Sequence, residues 1–133
     1  FLDTNVLLYA ISTAPDEAAK RTVALALLDA DDWVLSVQVL QEFYVQATRV
    51  TKPDRIQHEQ AAALIEAWLR FKIQEITVPI VQAALEAKAR FQLSYWDAAI
   101  IEAARAAECR QIYSEDLSAG QDYGGIRVIN PFI

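Results

Sequence analysis

Four acidic residues, Asp3, Glu42, Asp97 and Asp116, fall where separate stretches of the chain pass from expected strand to expected helix or loop. Three sit in short polar settings: Phe1-Leu2-Asp3-Thr4-Asn5, Ser94-Tyr95-Trp96-Asp97-Ala98 and Tyr113-Ser114-Glu115-Asp116-Leu117. The fourth lies in Leu40-Gln41-Glu42-Phe43. If a fold gathers them, two carboxylates ~5 Å apart repel by roughly 3 kcal/mol at an effective dielectric near 20. Such a group persists by taking up protons or divalent cations, and oxygen ligands of this kind suit a hard ion, Mg²⁺ or Mn²⁺.

Each acid also has an ordinary reading. Asp3 can serve as a turn residue ahead of a helix that Asn5 would cap. Asp97 stands three residues after Ser94, a capping-box spacing. Glu42 shares a helical stripe with Gln38, Gln41 and Val45 that suits a solvated face, and Asp116 can simply shape a loop. Glu115 and Asp122 are neighbours able to take the place of Asp116. The weight lies in the joint arrangement.

Other chemistries lack their parts. His58 is the only histidine and stands beside Asp54, Arg55 and Glu59 at a charged, exposed helix start. A two-histidine phosphodiesterase is thereby excluded, and a nucleophile–histidine system would depend on that one residue. The three glycines all follow residue 119, so no phosphate-cradling loop is present. Cys109 with His58 makes no zinc site.

The elements that must position the acids follow from apolar spacing. Phe1–Asp3 reads as the end of a buried strand, followed by a helix through Ile11, and Pro15 opens a helix to Leu28. Trp33–Ser36 reads as a strand, Val37–Thr48 as a helix, and Arg55–Phe71 as another after the Lys52-Pro53-Asp54 turn. A strand is expected over Ile73–Val78, where Ile76-Thr77-Val78 is β-branched, then helices to Phe91 and from Ser94 to Ala107. Strands at Gln111–Ser114 and Ile126–Ile129 close the pattern. Strands alternating with helices imply a mainly parallel sheet covered on both faces, with ligands beyond its carboxyl ends.

Composition sets the outer bounds. At 133 residues and 54% hydrophobic content, residues 1–133 are expected to form a single domain with a real core. The richest apolar run stops at Asp29, far short of a membrane span, and Asp3 arrives too early for a signal peptide. The absence of Met suggests a trimmed amino terminus, and the single Cys favours a reducing, cytoplasmic setting. The net charge of −6 argues against a polyanionic partner, but two bound divalent ions would cancel four of those charges. Arg49, Lys52 and Arg55 then form one local basic group, with Arg70 and Lys72, and Lys88 and Arg90, as others.

At Leu2-Asp3-Thr4-Asn5-Val6-Leu7-Leu8-Tyr9-Ala10, Gln41-Glu42-Phe43, Ser94–Ala98, Tyr113–Leu117 and Asn130-Pro131-Phe132, the chain resembles the PIN-domain ribonucleases, most closely VapC-type toxins of toxin–antitoxin pairs. The resemblance implies a three-layer α/β/α fold with a mainly parallel sheet of about five strands. It implies catalytic metal binding by Asp3, Glu42, Asp97 and Asp116, with Asn5 and Ser114 in support. The activity it implies is Mg²⁺- or Mn²⁺-dependent RNA cleavage by activated water, leaving 5′-phosphate and 3′-hydroxyl ends. An antitoxin carrying a basic segment and a homodimer are the implied partners. Trp33, Trp68 and Trp96 are candidates for core or interface. Two other functions remain open from the residues: a non-catalytic pocket for a basic partner, and a phosphatase or phosphoacceptor built on Asp3. The second would usually carry another Asp two residues on, where Asn5 stands.

Overall fold

A computed structural model describes all 133 residues. Its helices are α1 (Thr4–Ile11), α2 (Ala18–Leu28, entered through a 3₁₀ turn at Pro15–Glu17), α3 (Val37–Ala47), α4 (His58–Trp68), α5 (Val78–Phe91) and α6 (Tyr95–Ala106). Its strands are β1 (Val34–Ser36), β2 (Lys72–Gln74), β3 (Gln111–Tyr113) and β4 (Arg127–Ile129).

The strands form two parallel pairs, β1 with β2 and β3 with β4. The segment Phe1–Asp3 joins the pairs. Leu2 bridges Tyr113 in parallel, Asp3 N donates to the Tyr113 carbonyl at 3.0 Å, and Leu2 N donates to the Val34 carbonyl at 3.1 Å. Backbone hydrogen bonds therefore run in the order β2, β1, Phe1–Asp3, β3, β4. Five extended segments make the sheet, as expected, but only four are long enough to form regular strands. The shortened first segment lies at the sheet's midline, with Leu2 fully buried.

Two groups of helices cover this sheet and complete the three-layer α/β/α architecture. On one side α1 packs on α2 and α3, and α3 on α4; on the other, α5 packs on α6, which lies along β1, β2 and β3. One core of 24 buried residues runs through the molecule, with Leu7, Leu35, Phe43, Ile101 and Ile112 among its most enclosed side chains. Trp68 belongs to it, edge-on to Phe43 at 4.7 Å. Trp33 is half-buried, its indole N–H donating to the Leu27 carbonyl at 2.5 Å. Trp96 is 64% exposed.

Several boundaries differ from expectation for physical reasons. Asp3, not Asn5, caps α1: its carboxylate accepts from Thr4 N at 2.7 Å, and Asn5 enters the first turn. The β-branched run Ile76-Thr77-Val78 is no strand. Thr77 accepts from Ile80 N at 3.3 Å and caps α5, a local side-chain bond that outweighs β propensity. β2 lies earlier, where Ile73 pairs with Leu35. α4 begins at His58, where Gln57 and Gln60 form a reciprocal capping box.

Candidate metal centre

Asp3 leaves the midline segment at its carboxyl end, and β1 and β3 end beside it. Ser36 closes β1 and caps α3, accepting from Val39 N at 3.2 Å, so α3 starts at that same edge and carries Glu42 in its second turn. Ser94 caps α6 by accepting from Asp97 N at 3.1 Å, which fixes Asp97 in the first turn. The positive end of the α6 dipole favours an anion there. Asp116 follows β3 through Ser114.

All four expected acids line one cavity of about 70 Å³, together with Thr4, Asn5, Leu8, Gln46 and Ile100. Asp3 forms its floor at 6% exposure, Glu42 and Asp97 are half-buried, and Asp116 is exposed. Segments more than a hundred residues apart in sequence thus meet in one pocket. No three carboxylates are drawn together tightly enough to hold an ion directly; the four acids stand spread around the wall.

Polar side chains fix the acids in place. Ser114, fully buried, donates to Asp3 Oδ2 at 2.7 Å and accepts from Asp116 N at 3.1 Å and Leu117 N at 3.3 Å. Asn5 donates to Asp116 Oδ2 at 3.1 Å and accepts from Glu115 N at 3.2 Å. Thr4 Oγ1 donates to Glu42 Oε1 at 3.2 Å, and Gln38 approaches the same oxygen at 3.5 Å. Glu115 turns away to Lys20, 2.5 Å distant, and Asp122 is occupied by Gly125 N at 2.6 Å. Of the three neighbouring acids, Asp116 is the one that faces the cavity. Thr4 had no expected part, and Gln38, which the Glu42 stripe puts on a solvated face, is buried at 7% exposure. The placement of Gln38 one turn before Glu42 was the available signal.

Burial first, and neighbouring charge second, disfavour the ionised acids of the pocket. Burial pushes the Asp3 carboxyl up to about 6, against the stabilising bonds from Ser114 and Thr4, and the charges of Asp116 and Glu42 add to the rise. Glu42 is raised as well, first by burial and then by Asp97 and Asp116, against its bonds to Thr4 and Gln38. Glu115 goes the other way: partial burial would raise it, but Lys20 and Tyr9 hold it below the ordinary value. The donor set suits a hard dication, because it is all oxygen, anionic and without sulfur or imidazole. His58 is exposed, against Tyr44, and no part of it.

A PIN-domain family model matches residues 1–119. Among solved structures, a toxin–antitoxin complex from Klebsiella pneumoniae superposes with a TM-score of 0.70 at 20% identity, covering 98% of this chain and 95% of that one. VapC20 from Mycobacterium tuberculosis, described as a sarcin–ricin loop cleaving toxin, gives 0.69 at 20% identity, covering 87% and 88%. FitAcB from Neisseria gonorrhoeae gives 0.67 at 18%, covering 98% and 96%. At these identities the likeness speaks to fold. No curated protein matches the chain.

Proposed function

The chain belongs to the PIN-domain family, and from that premise we propose that it is a Mg²⁺- or Mn²⁺-dependent endoribonuclease, the toxin of a toxin–antitoxin pair. The observation that carries this reading is the convergence of Asp3, Glu42, Asp97 and Asp116 on one cavity whose most buried acid is held well above its ordinary pKa. We take residues 1–133 as one nuclease domain, a reading supported by the family match over residues 1–119 and the main core of 24 buried residues.

Asp3, Glu42, Asp97 and Asp116 would hold the ion. When bound, it supplies a Lewis acid that activates water and offsets the charge of a phosphodiester. The chain's own groups set the rest. Thr4 N and Ser114 each occupy one oxygen of Asp3 and fix its plane. Asn5 and Ser114 hold Asp116 by its side chain and its backbone. Glu42 is positioned by Thr4 and Gln38, and Asp97 by the Ser94 cap of α6, so both carboxylates border the cavity. A cytoplasmic setting fits an enzyme that acts on RNA, and no helix is long and apolar enough to cross a membrane.

The same charges suit an inhibitor. An antitoxin segment bearing Arg would fork onto these carboxylates and close the cavity. The structural neighbour from Klebsiella, a toxin–antitoxin complex, supports a partner protein.

Incubation with total RNA, with and without chelator, followed by mapping of the cut ends, tests the reading. Cleavage is expected only with Mg²⁺ or Mn²⁺, giving 5′-phosphates, and Asp3→Asn or Asp97→Asn should abolish it in folded protein. Undiminished cleavage in excess EDTA refutes the metal mechanism. The spread of the acids around the wall favours one rival, a non-catalytic pocket for a basic partner. Calorimetry with Mn²⁺ separates the two, since that pocket would take up no ion.

A further inference from the structure

Beside the acid cavity lies an open groove of about 320 Å³ between α3 and the start of α6. Glu42 and Gln46 line both spaces, so the groove adjoins the cavity. At 70 Å³ the cavity has no room for a nucleotide, and a substrate phosphate brought to it must trail its neighbouring residue across the lip. The groove is the space beside that lip.

Its lining suits a nucleotide. Trp96 stands in water next to Asp97, although indole is among the side chains most often covered. Gln38 donates to its backbone carbonyl at 3.1 Å, and the Tyr95 ring meets the indole edge to face at 5.1 Å. Arg49, exposed just past the end of α3, makes no ion pair and is the one cation in the groove's lining. It complements the α3 dipole, as a cation at a helix end does, yet in a chain of net charge −6 it is the free cation of this groove. Gln41 and Gln46 complete the lining with neutral amides that both donate and accept.

We propose that this groove seats the nucleotide next to the scissile phosphate of a single-stranded RNA. The base stacks on Trp96, the flanking phosphate meets the Arg49 guanidinium, and Gln41 and Gln46 bond the base edge or ribose. The inference rests on the nuclease reading. Unstacked bases on an aromatic plane beside a cation are the recurring way proteins hold single strands. The one charge of the lining opposite in sign to Glu42 is the Arg49 guanidinium, and with the amides of Gln38, Gln41 and Gln46 it offers more to a phosphate and a base edge than to a protein partner.

The test uses a short single-stranded RNA in EDTA at low salt, with binding read by tryptophan fluorescence and anisotropy. Quenching is expected in wild type and lost in Trp96→Ala, with roughly tenfold weaker binding that Trp96→Phe largely restores. Arg49→Gln should reduce the salt slope of log K by about 0.7. With Mn²⁺ and cleavable RNA, Trp96→Ala should raise KM about tenfold and leave kcat near wild type. If both variants bind and cleave as wild type while Asp97→Asn is inactive, the groove is no substrate subsite and the nuclease reading survives. If Trp96→Ala loses only the binding of an Arg-rich peptide, the groove docks protein and the proposal falls. Wild type that neither binds nor cleaves RNA removes the nuclease reading itself, and the groove's role with it.

Discussion

Asp3 is where chemistry and stability conflict. A carboxyl with an ordinary pKa of 3.8 sits buried at about 6, so between these values the folded protein holds a proton that the unfolded chain has released. Its contribution to stability is therefore present below pH ~4 and is lost as pH rises through 6, a penalty of about 3 kcal/mol at neutral pH. Denaturation in EDTA should show wild type losing stability from about pH 4 to 6.5 and levelling off above, with Glu42 acting in the same direction. Asp3→Asn should be flatter over that range and more stable than wild type at pH 7.5, though inactive. Parallel pH profiles for the two proteins would show that Asp3 is not the strained group. The choice among Glu115, Asp116 and Asp122 was not legible in the sequence, because it depends on Lys20 drawing Glu115 aside across 95 residues. Trp96 was equally opaque: nothing in Ser94-Tyr95-Trp96-Asp97 distinguishes an indole in the core from one at a pocket lip.

At the scale of elements, the caps align the site. Ser36, Ser94 and Asp3 each end an extended segment or loop and begin a helix at the cavity edge. Ser94→Ala should lower the melting temperature by several degrees, since a lost cap costs about 1 kcal/mol. It should also slow cleavage severalfold by loosening the turn that carries Asp97, and Ser94→Asp should restore both. An unaltered melt would show that the cap is dispensable. Helix periodicity over α2, α3, α5 and α6 was readable because their apolar faces repeat for three turns or more. The strands are three residues each, too short for a period to declare itself, and so β2 was expected too late. The Glu42 position was readable only as a stripe on α3; its capture by Thr4 is a contact across 38 residues.

Across the whole molecule, four repelling acids make the folded state responsive to cations. Adding Mn²⁺ to EDTA-treated protein at pH 7.5 should raise the melting temperature by several degrees, because a ligand at a hundred times its dissociation constant adds about 2.7 kcal/mol. Asp97→Asn should blunt that shift, and an identical shift in the variant would place the ion elsewhere. The amino-terminal segment carries a different implication. Main-chain atoms of Phe1–Asp3 stitch β1 to β3, while the Asp3 side chain faces the opposite task in the cavity. Replacing that carboxylate silences the catalyst yet spares the stitching, whereas Leu2→Pro deletes a rung without altering any acid. Slow deuterium uptake should therefore be shared by the amides of Asp3 and Tyr113 in an inactive Asp3→Asn protein, and both flanks of the sheet should loosen together once that middle thread is cut.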